Sequence, residues 1–148
     1  GPFSPERTGS LPAAQLVKMC FSGKYTEAEI YRIIAGKGGI CAYLETNSAK
    51  EVSDRANAGD DKARLIYSAM AYQVAKAIGE YAVVLDGDVD AIIITGGIAY
   101  DKDFVKMIED KVKFIAKVIV YPGEDELLAL AEGGLRVLKG VEEAKTYN

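Results

Sequence analysis

Histidine is missing altogether: of 148 residues, none is His. That excludes Ser-His-Asp and Cys-His catalysis built from this chain alone. Cysteine is nearly as scarce. Cys20 and Cys41 stand well apart with no CxxC pair, so neither a disulfide framework nor a zinc site is indicated, and a reducing, cytoplasmic setting fits. No apolar run approaches the length of a membrane span, and no signal-peptide pattern opens the chain. Positive charge is also in deficit. A net charge of −4 and a pI near 5.0 argue against a general nucleic-acid surface, which needs clustered Lys and Arg. The remainder, 49% hydrophobic and 27% charged, is ordinary for a globular protein and long enough for one domain with a real core.

Along the chain, GPFSPERTG at residues 1–9 reads as a Pro/Gly-restrained loop holding a single arginine, Arg7. Leu16, Val17, Cys20 and Phe21 recur at helical spacing. Thr26-x-x-Glu29 is a capping box ahead of Ile30, Ile33 and Ile34, and Gly36 closes that helix. The stretch GKGGICAYLETN reads as a glycine-rich connector into a short apolar segment. Ser48-x-x-Glu51 is a second capping box, opening a short helix. From Asp60 onward, Ile66, Met70, Val74, Ile78, Tyr81 and Leu85 form one long helical stripe that Gly87 ends.

VDAIIIT is a β-branched run without polar alternation, as expected of a strand buried on both faces. Phe104, Met107, Ile108, Val112 and Ile115 make another helical stripe, KVIVY a second strand, and Leu127 to Leu138 the apolar side of a last helix. Residues 91–121 are therefore a βαβ unit whose strands must be parallel. Two such strands are too few to make a covered parallel sheet on their own. No internal repeat or low-complexity tract is visible.

Gly96-Gly97 ends the first strand, where open α/β sheets bind ligands, although a double glycine there also serves as a plain turn. It is not a GxGxxG fingerprint, and neither SGK at 22–24 nor GKGG at 36–39 completes a phosphate loop; both read as helix C-caps with solvated lysines. Arg7, in its restrained loop, is either solvated or a planar fork suited to a phosphoryl group or a carboxylate. Glu124, Asp125 and Glu126 either favour the dipole of the last helix or reach a magnesium ion with hard oxygen ligands.

Together, GPFSPERTGSLP, FSGKYTEAEI, GGICAYLETNSAKEV, MAYQVAKAIGEYAVVL, IIITGGIAYDKDF and YPGEDELLALAEGGLRVLKG resemble, in that order, the carboxy-terminal half of the bacterial butyrate kinases. Those enzymes belong to the acetate kinase family, within the superfamily that also holds actin and the sugar kinases. The resemblance implies an α/β fold of the ribonuclease H-like, actin-like ATPase type. Residues 1–148 would be its carboxy-terminal lobe, a parallel βαβ core with several packed helices, lacking its first strands. It further implies a two-lobed enzyme with ATP and Mg²⁺ in the cleft, moving the γ-phosphoryl group reversibly to butyrate or another short-chain fatty acid. An ionised carboxylate acceptor needs no general base, so the absence of His is no obstacle.

On this resemblance Arg7 matches the arginine that stabilises the transferring phosphoryl. Gly96, Gly97 and Ile98 match the loop against the adenosine. Asn47, Ser48 and Lys50 fall where acetate kinases contact the adenine, and those enzymes carry Asp and Arg where this chain has Ser48 and Lys50, which points to the butyrate branch. Glu126, with Asp125 as the alternative register, matches the carboxylate associated with magnesium. With the other lobe expected outside these residues, the segment alone is expected to be inactive and to cover its open sheet edge as a homo-oligomer. The alternatives are a branched-chain acyl or acetate kinase, and a non-catalytic interaction domain of the same fold. No nucleic-acid or membrane partner is expected.

Overall fold

The computed structural model describes residues 1–123 and 125–146. Its helices are α1 (Ala13–Cys20), α2 (Glu27–Ile34), α3 (Gly39–Leu44), α4 (Ala49–Asn57), α5 (Asp61–Val84), α6 (Lys102–Val112) and α7 (Glu126–Leu138), with strands β1 (Ile92–Gly96) and β2 (Val118–Pro122). β1 and β2 pair in parallel from Ile92↔Val118 to Gly96↔Pro122, with α6 as the crossover, as the sequence predicts.

The two capping boxes differ in outcome, and Asp60 adds a cap not read from the sequence. Thr26 and Glu29 close a complete capping box on α2. Asp60 accepts the Ala63 amide at 3.0 Å and starts α5. Ser48 caps α4 through the Glu51 amide at 3.2 Å, but the second half of that box is relayed. The Glu51 carboxylate accepts instead from the Thr46 hydroxyl, which in turn accepts the Ser48 amide.

α5 packs against α4 on one side and α6 on the other. The buried core runs through Ile40, Val52, Tyr67, Met70, Phe104, Ile108 and Val112. The face of α5 that is fully buried differs from the expected stripe. It is Ala63, Tyr67, Met70, Ala71 and Ala75, whereas Ile66, Val74 and Ile78 are only half-buried and Tyr81 and Leu85 are exposed. Small alanines let the neighbouring helices close in, so burial follows them rather than the larger side chains one row over.

Three further expectations are corrected. The glycine-rich connector before Asn47 contains a helix, α3, with Ile40 fully buried. β1 is buried on one face only: Ile92 is 8% exposed and Ile93 63%. The stripes of α1 and α7 bury no residue at all. In β1, α1 and α7 the apolar pattern marks a side, while burial depends on a neighbour that the described residues do not supply.

Candidate functional site

Arg7 is held by its neighbours' backbone. The Gly36 and Gly38 amides donate to the Glu6 carbonyl, Cys41 donates to Pro5 and Ile40 to Ser4, and Thr8 donates to Ile34. The glycines of the connector make this possible. A Cβ on Gly39 would collide with the Ser4 carbonyl, and one on Gly38 would sit 2.6 Å from the Thr8 methyl group. The Phe3 amide fixes the start of the same loop to Gln73 of α5 at 3.0 Å. Arg7 itself is exposed, and among the described residues its guanidinium makes no ion pair. A rigid loop thus presents an uncommitted planar cation, which suits an anion brought from outside.

Asn47 binds into the same loop. Its Nδ2 donates to Glu6 Oε1 at 2.6 Å, next to Arg7. Ser48 is occupied as the cap of α4. Lys50 pairs with Asp54 at 2.8 Å one turn along α4, both well exposed. That pair raises the Lys50 ammonium above its usual value through the Asp54 hydrogen bond, and surface pairs of this kind add little stability.

A cleft of about 1140 Å³ opens between residues 2–5, α4, α5 and the end of β1. Met70, Val74, Ile78, Ile94 and Phe104 give it an apolar interior, and Lys50, Gly96, Gly97 and Ile98 stand on its walls. The expected site residues are therefore split. Lys50 and the 96–98 turn share the cleft. Arg7, Asn47 and Ser48 lie outside its lining, although Ser4 and Pro5 carry the Arg7 loop onto its edge.

The turn itself is tightly specified. Gly96 has φ +88 and Gly123 φ +114, values at which other residues are strained. Their main chains exchange hydrogen bonds of 3.1 and 3.2 Å, so the ends of β1 and β2 are locked together. A Cβ on Gly123 would come within 2.9 Å of the Tyr100 hydroxyl. Gly96 consequently contributes space and a left-handed bend, its amide and carbonyl being engaged. Gly97–Tyr100 follow as a single 3₁₀ turn into α6.

On the far side of this junction Asp125 and Glu126 line a shallower depression with Thr95, Gly96, Tyr121 and Gly123. Asp125 stands at the N-cap position of α7 but makes no side-chain cap hydrogen bond. Glu124 lies outside the described residues. Among the described residues no group of three or more His, Cys, Asp and Glu side chains is placed to hold a metal ion. Asp125 and Glu126 together offer a pair of carboxylates, which is what magnesium takes when phosphates and water complete its shell.

One cluster escapes the sequence reading. Tyr67, 2% exposed, donates from its hydroxyl to Asp101 Oδ2 at 2.7 Å, with its ring 4.8 Å from that of Phe104. Burial, reinforced by Asp101, pushes the Tyr67 hydroxyl far above its ordinary value. Burial alone would also raise Asp101, but hydrogen bonds from Ser53, Tyr67 and the Phe104 and Asp103 amides outweigh it and hold the carboxyl below its usual range. The available signal was Asp101 directly before an apolar helical stripe, an N-cap signature.

The arrangement matches solved kinases in fold. Acetate kinase from Porphyromonas gingivalis superposes with a TM-score of 0.81 at 20% identity, over 93% of this chain and 41% of that one. Acetate kinase from Entamoeba histolytica gives 0.78 at 19% identity, over 91% and 43%. In sequence, butyrate kinase 2 of Clostridium acetobutylicum is 61% identical over 99% of this chain. A probable butyrate kinase 2 of Caldanaerobacter subterraneus subsp. tengcongensis is 57% identical over the same share. The chain spans 41% and 42% of the length of those relatives. Residues 4–127 match the acetokinase family, and with that match covering the Arg7 loop, the parallel strand pair and the glycine junction, the chain belongs to the acetokinase family.

Proposed function

We propose that these residues are the carboxy-terminal lobe of an ATP-dependent kinase that phosphorylates the carboxylate of a short-chain fatty acid, butyrate first, and runs in reverse from the acyl phosphate. The observation that carries the reading is the junction of β1 and β2. A glycine-bent strand end faces an apolar cleft on one side and paired carboxylates on the other, in a chain 61% identical to a butyrate kinase.

The residues divide the work by their chemistry. The 96–98 turn, with no side chain at Gly96 and Gly97, admits the nucleoside to the cleft mouth, and Lys50 stands across from it. Arg7 supports the charge that develops on the transferring phosphoryl group, where a fixed guanidinium acts on the transition state. Asp125 and Glu126 are the residues that would hold Mg²⁺, which when bound neutralises charge on the nucleotide phosphates. The acceptor carboxylate is ionised at neutral pH, so no proton has to be removed from it.

We read the protein as cytoplasmic and homo-oligomeric. The observations behind this are the free Cys20 and Cys41, the lack of any helix among the described residues long and apolar enough to cross a membrane, and the apolar faces of α1 and α7 turned outward. The test of the activity uses a full-length kinase carrying these 148 residues. Incubated with ATP, Mg²⁺ and butyrate, it should yield an acyl phosphate trapped by hydroxylamine. Formation of no hydroxamate from butyrate, acetate or branched-chain acids would refute the reading.

A further inference from the structure

Capping α6 needs one carboxylate oxygen, and Asp101 uses both. Its Oδ1 accepts the Asp103 and Phe104 amides, each at 3.0 Å. Its Oδ2 takes the Tyr67 hydroxyl from α5 at 2.7 Å, and the Ser53 hydroxyl of α4 also hydrogen-bonds the carboxylate. Three elements therefore converge on one half-buried side chain. They are the elements that frame the cleft: α4 carries Lys50, α5 supplies Met70, Val74 and Ile78, and the chain entering Asp101 comes directly from the 96–98 turn. A charged group placed there is tolerable only if it is fully hydrogen-bonded, and a satisfied network of this kind fixes the distance between the parts it joins.

We propose that Asp101 is a positioning residue for the nucleotide, clamped by Tyr67 and Ser53 so that the 96–101 turn is held at a set distance from α4 and α5. The proposal rests on the nucleotide reading of the cleft. Without the clamp, the turn would remain capped onto α6 but would lose its tie to the opposite wall. The network borders the cleft read as the nucleotide site, so the effect should fall on the nucleotide.

The experiment uses a full-length kinase carrying these residues and measures kcat, the KM for ATP, the KM for butyrate and Tm. Tyr67→Phe keeps the ring on Phe104 and removes only the donor. Asp101→Asn keeps a capping side chain and removes the charge. Each should raise the KM for ATP about tenfold, the scale of one hydrogen bond to a charged group, with the KM for butyrate unmoved. The double variant should be less severe than the product of the two, because both act on one contact. Ser53→Ala, at a half-buried position, provides the same readout should either variant fail to fold.

Gly97→Val separates the proposal from the reading beneath it. If Gly97→Val raises the KM for ATP while Tyr67→Phe and Asp101→Asn stay within about twofold of wild type, the positioning role is overturned and the nucleotide cleft stands. If all three leave it unchanged, both fall. A parallel rise in both KM values, or a lower Tm with unchanged KM values, would show a purely structural network and overturn the proposal.

Discussion

The two halves of this molecule's apolar surface behave differently. In the body formed by α4, α6 and the inner faces of α5 and β1, apolar positions are buried: Val52 and Ala71 are 0% exposed, and Ile108 is 2% exposed. In α1 and α7 an equally clear periodicity ends in solvent, with Leu127 at 84% and Leu138 at 86%. The residue types and spacings are alike. What differs is whether the described residues include a partner. An apolar stripe specifies a side to be covered, and the chain spans 41% of the length of a relative; on the proposed reading the rest of the kinase or a second copy covers α1 and α7.

The sharpest way to break that comparison is by truncation. In the isolated chain, Ile108→Ala should cost about 2–5 kcal/mol in chemical denaturation, as buried Ile truncations do. Leu127→Ala should stay within about 0.5 kcal/mol, as exposed substitutions do. In a full-length kinase the Leu127 variant should become distinctly more costly. Equal, small effects in both settings would show that α7 is bare in the intact protein as well.

Next in size is Arg7→Ala in the full-length enzyme. It should lower kcat on the order of 100-fold or more with little change in the KM for ATP, since a transition-state contact is lost. A normal kcat would remove Arg7 from the chemistry and leave its loop a structural corner.

A smaller effect concerns acid. Asp101 lies below its ordinary carboxyl value in the folded chain. Its contribution is therefore complete above the unfolded value of about 3.9 and is lost as pH falls through the lower, folded value. Asp101→Asn should flatten that part of the acid unfolding curve while leaving the neutral region nearly parallel to wild type. An unchanged acid limb would show that the Asp101 charge contributes nothing to stability.

How much of this could be read from the residues follows from the same contrast. The unbroken Ile92–Thr95 run, Asp60 before a long stripe and Thr26-x-x-Glu29 announced β1, α5 and α2, because each signal is local. α3 was hidden because its start, Gly38-Gly39, looks like a loop. Those glycines are there to let residues 4–8 pass at close range, a contact made across some thirty positions of sequence. The buried face of α5 is hard to see in the residues because alanine carries little weight in a hydrophobic pattern yet permits the closest approach. Of the candidate site, the 96–98 turn and Lys50 came together in one cleft, while Asn47 turned toward Glu6. Asp101 escaped because its cap signature is common and its partners, Ser53 and Tyr67, lie on other helices.

The central claim is that the end of β1 receives adenosine. Photolabelling a full-length kinase with azido-adenosine triphosphate, followed by mass spectrometry of the modified peptides, tests it most directly. The label should fall on the peptide spanning residues 92–101 or on that containing Lys50, and excess ATP should suppress it. ATP-protected labelling confined to peptides outside the cleft would contradict the claim.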